Sequence, residues 1–341
     1  MRYFTFTIIL IFISNFAIGL SIEEEKKYGP SKQKADLTIL SSTDIEIFDP
    51  VMKAYANQYP KLNIHYIVAS SKDIYETINS GSSNYDVVMS SAMDLQIKLA
   101  NDGLSETYNS LLTSSIPDWG VWQNKLYGFA LEPIVIVISK EKFIELDIPS
   151  NRREFLSILR SNPERFKNNL ITYDVNLSGA GYLFATQDER ETDTFWRLSE
   201  VMGSLGTKLV CCSGVMLNAL ENNEVAAAYN VLGSYAEKRA LNSKAIQIIY
   251  PEEYTHVLLR TALIPIKSKN KILAGYFLDY ILSQEGQKII EEKGGLPSIN
   301  NKDIRQMLNA KPIRLDTGLL VYLDNLKRKN FLREWNAALL Q

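Results

Sequence analysis

Residues 37–48 read LTILSSTDIEIF: a short apolar run ends in three hydroxyl residues and an aspartate, and apolar residues then recur at helical spacing. A junction of this kind leaves the first-turn N–H groups of a helix without intrahelical partners and sets Ser or Thr oxygens beside them. The same plan returns in VVMSSAMDLQIKLA (87–100), ITYDVNLSGAGYLFA (171–185) and LVCCSGVMLNAL (209–220). An ordinary N-cap accounts for any one of them. Four together, where strands and helices alternate, put anion-holding groups at the carboxyl ends of strands, where open α/β sheets bind ligands.

The pattern on either side of 37–48 extends this reading. Phe48, Met52, Tyr55 and Tyr59 share a helical face that Pro60 ends, and Leu62, Ile64, Tyr66 and Val68 alternate as a strand. A helix over Asp73–Asn79, a strand over Asp86–Met89 and a helix over Ala92–Asn101 complete a β-α-β-α-β-α block, the order of a mostly parallel sheet with both faces covered. A hairpin is expected over Trp122–Phe129 around Asn124-Lys125, and a separate buried strand over Ile134–Ile138. A second alternating block follows, with Ser150 capping its first helix, and runs to Tyr250. A strand over Val257–Ile266 and long helices over Lys271–Lys293 and Leu319–Leu340 close the chain.

The first nineteen residues concern compartment. Arg2 precedes an apolar run from Phe4 to Ile18, and Ala17 and Gly19 occupy the −3 and −1 positions of a signal-peptidase site, so cleavage is expected before Leu20. The run is short for a membrane span. No cysteine follows it to carry a lipid, so the mature protein is expected free in the periplasm. Residues 20–35, with Glu23-Glu24-Glu25-Lys26-Lys27 and Gly29-Pro30, offer little to bury and read as a flexible leader. About 320 mature residues exceed what one core usually spans, so two lobes are expected.

Lys and Arg number 37 against 39 Asp and Glu, and no basic cluster is longer than Lys327-Arg328-Lys329, which gives no support to nucleic-acid binding. Cys211 and Cys212, the only cysteines, are neighbours. They read as small buried thiols at a strand end, with a vicinal disulfide as the alternative in an oxidising compartment. His65 and His256 are too few for a metal centre, and His65 reads as a strand residue. Neither Ser178-Gly179 nor Ser213-Gly214 sits in a Gly-x-Ser-x-Gly elbow, and no phosphate-loop lysine or dinucleotide glycine triplet is present, so no enzyme, cofactor or metal is expected.

The order of several longer stretches carries a resemblance. YDVVMSSAMDLQIKLANDG, WQNKLYGFALEPIVIVIS, NPERFKNNLITYD, SGVMLNALENNEVAAAYNVLGSYA, ALIPIKSKNKILAGYFLDYILSQEGQKII and GGLPSIN follow the opening stretch through about residue 300. The chain resembles the periplasmic solute-binding proteins of ABC importers, in the type II two-lobe family with ferric-ion, polyamine and phosphorylated-solute binders. The resemblance implies an α/β fold of two lobes, each a mixed, mostly parallel sheet flanked by helices. Crossing hinge strands would join them. Residues 36–131 plus 262–300 would form lobe 1, residues 133–259 lobe 2, and 301–341 a helical segment packing on a lobe. It also implies a monomer that closes on one solute and hands it to an ABC permease in the inner membrane; a sensory role, feeding a receptor or histidine kinase, is the alternative end use.

Ferric members use adjacent tyrosines following an asparagine, where this chain reads Tyr229-Asn230-Val231-Leu232-Gly233-Ser234-Tyr235. Loss of the pair argues against a hard ferric ion, although iron is retained as an alternative ligand. The candidate ligand-binding residues are instead Ser41, Ser42, Thr43, Ser90, Ser91, Ser178, Gly179 and Ser213, joined by Asn230, Ser234 and Tyr235. Arg260 is the nearest plausible cation. This inventory suits the phosphate or carboxylate of a small anionic organic solute. Asp44, Glu132 and Asp174 would meet its hydroxyls or an ammonium; for Glu132 a hinge role bonding backbone is an equal reading. Trp119, Trp122, Tyr127, Phe129 and Tyr182 read as core, with stacking on a sugar ring as the alternative.

Overall fold

The computed structural model describes residues 20–30, 36–81, 84–303 and 309–341. The expected signal peptide, Met1–Gly19, and residues 31–35 of the expected leader lie outside the described residues. In chain order, the first half runs β1 (Ile22–Tyr28), β2 (Leu37–Ser41), α1 (Ile45–Gln58), β3 (Ile64–Ala69), α2 (Ser71–Asn79), β4 (Val87–Ser90), α3 (Met93–Asn101), β5 (Val121–Trp122) and β6 (Leu126–Ser139). The second block holds α4 (Arg152–Ser161), α5 (Pro163–Phe166), β7 (Leu170–Tyr173), α6 (Gly179–Glu191), α7 (Thr194–Ser204), β8 (Lys208–Val210), α8 (Ser213–Glu221), β9 (Ala227–Leu232), α9 (Gly233–Asn242) and β10 (Ile246–Ile249). The chain returns through β11 (Thr255–Leu263), α10 (Lys271–Leu282), α11 (Gln284–Glu292), β12 (Ala310–Pro312), a 3-10 stretch over Thr317–Leu323 and α12 (Asn325–Leu339).

The strands line up as β1-β3-β2-β4-β11-β6-β9-β7-β8. β3, β2 and β4 are parallel neighbours at one end, and β9, β7 and β8 at the other. Between them β6 and β11 run antiparallel, pairing Val257 with Pro133 and Ala262 with Tyr127. Every residue of these two central strands is buried, as their near-continuous apolar sequences require. The result is a two-lobe α/β fold with crossing strands in the middle. The expected hairpin is present, with β5 antiparallel to the start of β6, but the expected separate strand over Ile134–Ile138 is the continuation of its second arm in one 14-residue strand, β6, that serves both lobes. Gln123 and Asn124, with φ of 49° and 51°, make the tight turn into it.

Two apolar clusters form the core. Phe48, Met89, Phe129 and Phe277 belong to the larger, which continues into Ile171, Phe184, Leu217 and Val231 of the second block, and Phe155, Phe166, Leu198, Phe331 and Trp335 belong to the other. α12 crosses α7 so closely that a Cβ on Gly203 would lie 1.9 Å from the Ala338 carbonyl oxygen, so that crossing demands glycine. The long closing helices divide where side chains offer new caps. Ser283 Oγ accepts from Gly286 N (3.0 Å) to start α11, and Asp324 Oδ1 accepts from Leu326 and Lys327 N to start α12. Likewise Asn151, rather than Ser150, caps α4, its side chain accepting from Glu154 N at 2.8 Å.

The leader is where the structure departs most from the sequence reading. Ile22–Tyr28 is a strand, antiparallel to β3 at the edge of the sheet. Several of its polar groups are partnered: Lys26 with Asp49 (2.7 Å) and Glu25 with His65 (2.8 Å), while the buried Tyr28 donates its hydroxyl to Asp49 (2.8 Å). Low hydrophobicity therefore marks a charged edge strand here, the kind that resists further pairing, and not a free tail.

Under the second lobe lies a buried polar knot around Asp188. Its Oδ2 accepts from the Tyr229 hydroxyl (2.8 Å) and Asn230 Nδ2 (2.9 Å), and its Oδ1 from the Tyr254 hydroxyl (3.0 Å). Arg152 Nη2 lies 3.3 Å and His256 Nε2 3.5 Å from the same Oδ1. Burial pushes the His256 imidazole down to about 4, with Asp188 pulling the other way. The unfolded chain therefore binds a proton that the folded chain refuses between pH about 6.5 and about 4. Stability is full above the upper value and should fall by about 3 kcal/mol as pH drops through the window. Denaturant titrations at pH 7.5 and 4.5 should show this slope, and a His256→Asn variant should flatten it.

Candidate functional site

The carboxyl ends of β2, β4, β7 and β8 converge on one cavity of about 60 Å³. Ser42 and Ser91 line it from the first lobe, Ser178 and Ser213 from the second, and Gly214 and Tyr235 complete the wall that the sequence pointed to. The two sides touch. Ala180 N donates to Ser71 Oγ (3.1 Å), Asp44 N to the Tyr235 hydroxyl (3.3 Å), and Lys72 Nζ to the Asn176 carbonyl (3.1 Å). A volume of this size is too small for a sugar-sized solute, and direct bonds join its two sides.

What the wall can do follows from its caps. In α8 the N-cap Cys212 makes no side-chain cap bond, and Met216 N to Cys212 O (3.4 Å) is the first backbone bond of the helix. Among the described residues the first-turn N–H groups of α8, from Ser213 to Val215, have no intrahelical partner; Ser213 and Gly214 line the cavity, toward which the positive end of the helix dipole lies. In α6, Ser178 Oγ accepts from Gly181 N (3.1 Å) and Ala180 N is taken by Ser71. Ser213 Oγ is shared with the Tyr173 hydroxyl (2.7 Å) and accepts from Leu232 N (2.9 Å). The serine oxygens are thus engaged in holding the turns of the wall, and backbone N–H groups are the donors it leaves open.

Other candidates stand behind the cavity wall. Arg260 is fully buried; its Nε donates to Glu132 Oε2 (2.7 Å) and its Nη1 to Thr43 Oγ1 (2.7 Å). Glu132 Oε1 accepts from Ser234 N (2.9 Å) and from the Ser234 hydroxyl. The pair joins the first junction to the start of α9 through the two crossing strands. Arg260 Nη2 has no hydrogen-bond partner among the described residues. Ser41 Oγ accepts from Thr43 N and Ser90 Oγ from Ala92 N (3.0 and 3.1 Å), each tightening its own turn. Gly179 packs against Ala92 and Leu95 across the lobes. Asp174 closes a turn on Asn176, and Asn230, at φ 63°, turns inward to Asp188. Neither is placed on the cavity wall, because each carboxylate or amide is satisfied by its own lobe.

The cavity also holds residues the sequence reading missed: Glu23, Ser70, Ser71, Tyr173, Cys211 and Cys212. Ser70 was legible, since IVASSKD at 67–73 repeats the junction plan after β3, and Ser70 Oγ does cap α2 through Asp73 N (3.1 Å). The two cysteines are joined as a disulfide and are not the buried thiols expected; Cys211 is exposed on the cavity wall. The aromatic stretch is core: Tyr127 and Phe129 are fully buried, and Tyr182 donates to the Tyr322 carbonyl (2.5 Å). Among the described residues no three His, Cys, Asp or Glu side chains gather with metal-ligand spacing. Tyr229 belongs to the Asp188 knot, leaving Tyr235 as the tyrosine of that segment on the cavity wall. A wider cavity of about 770 Å³, lined by Asn151, Glu191, Glu253 and Lys311 among others, contains none of the junctions.

Comparison with known proteins agrees with this fold. The crystal structure of the substrate-binding protein of an ABC transporter from Agrobacterium tumefaciens superposes with a TM-score of 0.89 at 29% identity, covering 95% of this chain and 100% of that one. The periplasmic binding protein AfuA from Actinobacillus pleuropneumoniae, with exogenous fructose-6-phosphate bound, gives 0.73 at 18% identity over 90% and 99%. Iron-bound HitA from Pseudomonas aeruginosa gives 0.67 at 17% over 89% and 99%. At these last two identities the likeness is one of fold. A search of curated proteins gave no match. No helix among the described residues is long and apolar enough to cross a membrane. The sequence profile of bacterial extracellular solute-binding proteins matches residues 37–295, and the chain belongs to that family.

Proposed function

We propose that this chain is the periplasmic solute-binding component of an ABC importer and captures one small anionic organic solute, phosphorylated or carboxylated, between its lobes. One observation carries the reading: the cavity is walled by strand-to-helix junctions from both lobes, and the uncapped start of α8 opens onto it. Such a site binds an anion through backbone N–H groups and a helix dipole. Because donors come from both sides, the anion favours the closed form, and that difference drives closure. Exposed outer surfaces of the lobes would present the loaded, monomeric protein to a membrane permease. Residues 36–131 with 262–300, and 133–259, are the proposed moving units, with Glu132 and Arg260 at the hinge. The similarity to an ABC transporter's substrate-binding protein and to a sugar-phosphate-bound relative supports the transport role and the ligand class. Catalysis forms no part of it.

Thermal-shift screening against sugar phosphates and organic acids tests the ligand class. A true ligand at 100 times its dissociation constant should add about 2.7 kcal/mol of stability. A melting curve moved by ferric ion and by no organic anion would overturn it.

A further inference from the structure

Beyond the cavity, where the two proposed moving units meet, lies a buried carboxyl that the site does not use. Asp94 stands in the first turn of α3, in the first unit, and is 2% exposed. Its Oδ1 has no hydrogen-bond partner among the described residues. The second unit packs against this turn, for Gly179 at the start of α6 meets Ala92 and Leu95. Further along α6, the Tyr182 ring lies under the Arg328 guanidinium of α12, 5.1 Å from its centre. Charge couples Asp94 to both of these residues. Arg328 Nε and Glu189 Oε2 of α6 are also buried without a hydrogen-bond partner among the described residues. Because α12 crosses α7 at Gly203 without room for a side chain, it belongs with the second unit. The groups around Asp94 therefore come from both sides of a seam.

These groups decide what Asp94 does as pH changes. Burial pushes its carboxyl up to about 7, while the N–H groups of its own turn and the Arg328 charge pull the other way. Tyr182 of α6 and Tyr75 of α2 feel its charge, and burial holds both phenols above their ordinary range, so they stay neutral. Lys98 and Asp102 of α3 pair with each other, and Glu189 feels Lys327 and Arg190. From the 3-10 stretch, Tyr322 gives its carbonyl to the Tyr182 hydroxyl. In the strands beneath α3, Glu132 pairs with Arg260, and His256 belongs to the Asp188 knot. An ionised Asp94 is thus poorly served at the joined seam and gains water when the units part.

We infer that Asp94 is a proton-operated latch between the units: protonated, it lets them stay joined without solute, and ionised, it favours their parting. The inference rests on the proposed moving units. A carboxyl held higher in the joined form takes up a proton on joining. Joining is then favoured in acid, and the advantage is lost as pH rises from about 4, the ordinary carboxyl value, through about 7. Because the solute is held between joined units, capture would strengthen as pH falls.

Hydrogen exchange on the mature chain without solute tests this, because two backbone N–H groups are donated across the seam: Ala180 N to Ser71 Oγ and Asp44 N to the Tyr235 hydroxyl. Their protection, corrected for the intrinsic exchange rate at each pH, should rise about tenfold from pH 8 to pH 6. Burial also holds Glu23 and Asp44, at the cavity end of the seam, above their ordinary range, so variants separate the contributions. Asp94→Asn should keep the acid-form protection at pH 8 and cut the change to about threefold or less. Arg328→Gln, which removes the opposing charge, should move the loss of protection to higher pH. Protection that is flat with pH, absent at both values, or equally pH-dependent in Asp94→Asn overturns the latch and leaves the proposed function standing. If the thermal-shift panel yields no organic anion while protection follows Asp94, the solute reading fails and the latch stands.

Discussion

Asp188→Ala is expected to lower the stability of the folded chain by about 3–5 kcal/mol, the largest effect of any single replacement outside the apolar cores. Burial alone would raise the Asp188 carboxyl, but Arg152, His256, Asn230 and Tyr229 outweigh it and hold the group ionised, below its ordinary range. Removing it strands Arg152, which is itself fully buried, with Glu253 at 3.0 Å as its remaining carboxylate partner. It also leaves the hydroxyls of Tyr229 and Tyr254 without their acceptor. Denaturant unfolding checks the value. Pairing Asp188→Leu with Arg152→Met should cost less than Asp188→Ala alone, because the penalty is that of a charge left unpaired. If the single variant unfolds at the same denaturant concentration as the wild type, the knot is not holding the second lobe.

Gly214→Asp should weaken binding of the solute by about a hundredfold, equivalent to about 2.7 kcal/mol, while leaving the fold intact. An acidic side chain in the first turn of α8 suits the helix, and the nearest atom to its Cβ would be Asp44 Oδ2 at 4.0 Å, so there is room for it. The new carboxylate would take the N–H groups that an anionic solute needs and repel the solute by charge. This replacement discriminates better than removing Ser178 or Ser213. Those hydroxyls also cap α6 and hold Tyr173 and Leu232, so their loss mixes stability with affinity. Calorimetric titration of a panel anion, beside a thermal melt, separates the two effects.

The junctions were legible because they are local. A strand, a hydroxyl pair and a helix within about fifteen residues state their geometry in one dimension. The convergence of Ser42 and Ser91 with Ser178 and Ser213 followed from the order of two α/β blocks. What stayed hidden depends on contacts distant in sequence. The strand Ile22–Tyr28 looked like a loose tail because its partners, α1 and β3, lie from about twenty to about fifty residues onward, and a charged edge strand has the composition of such a tail. Asn230 looked like a ligand donor because its reach to Asp188, 42 positions away, leaves no trace in the local pattern. Leu126 to Ile138 looked like parts of two elements because β6 changes neighbours midway, from β11 to β9 and β10, without breaking its backbone.

A crystal structure of the chain with the solute that co-purifies with it tests the central claim most directly. The solute's anionic group should lie between the two lobes, within hydrogen-bond distance of the N–H groups of Ser213, Gly214 or Val215, and Ser42 or Ser91 should reach it from the other side. Solute density in the wider cavity beside Glu253 and Lys311, with the four junctions making no contact to it, would contradict the account.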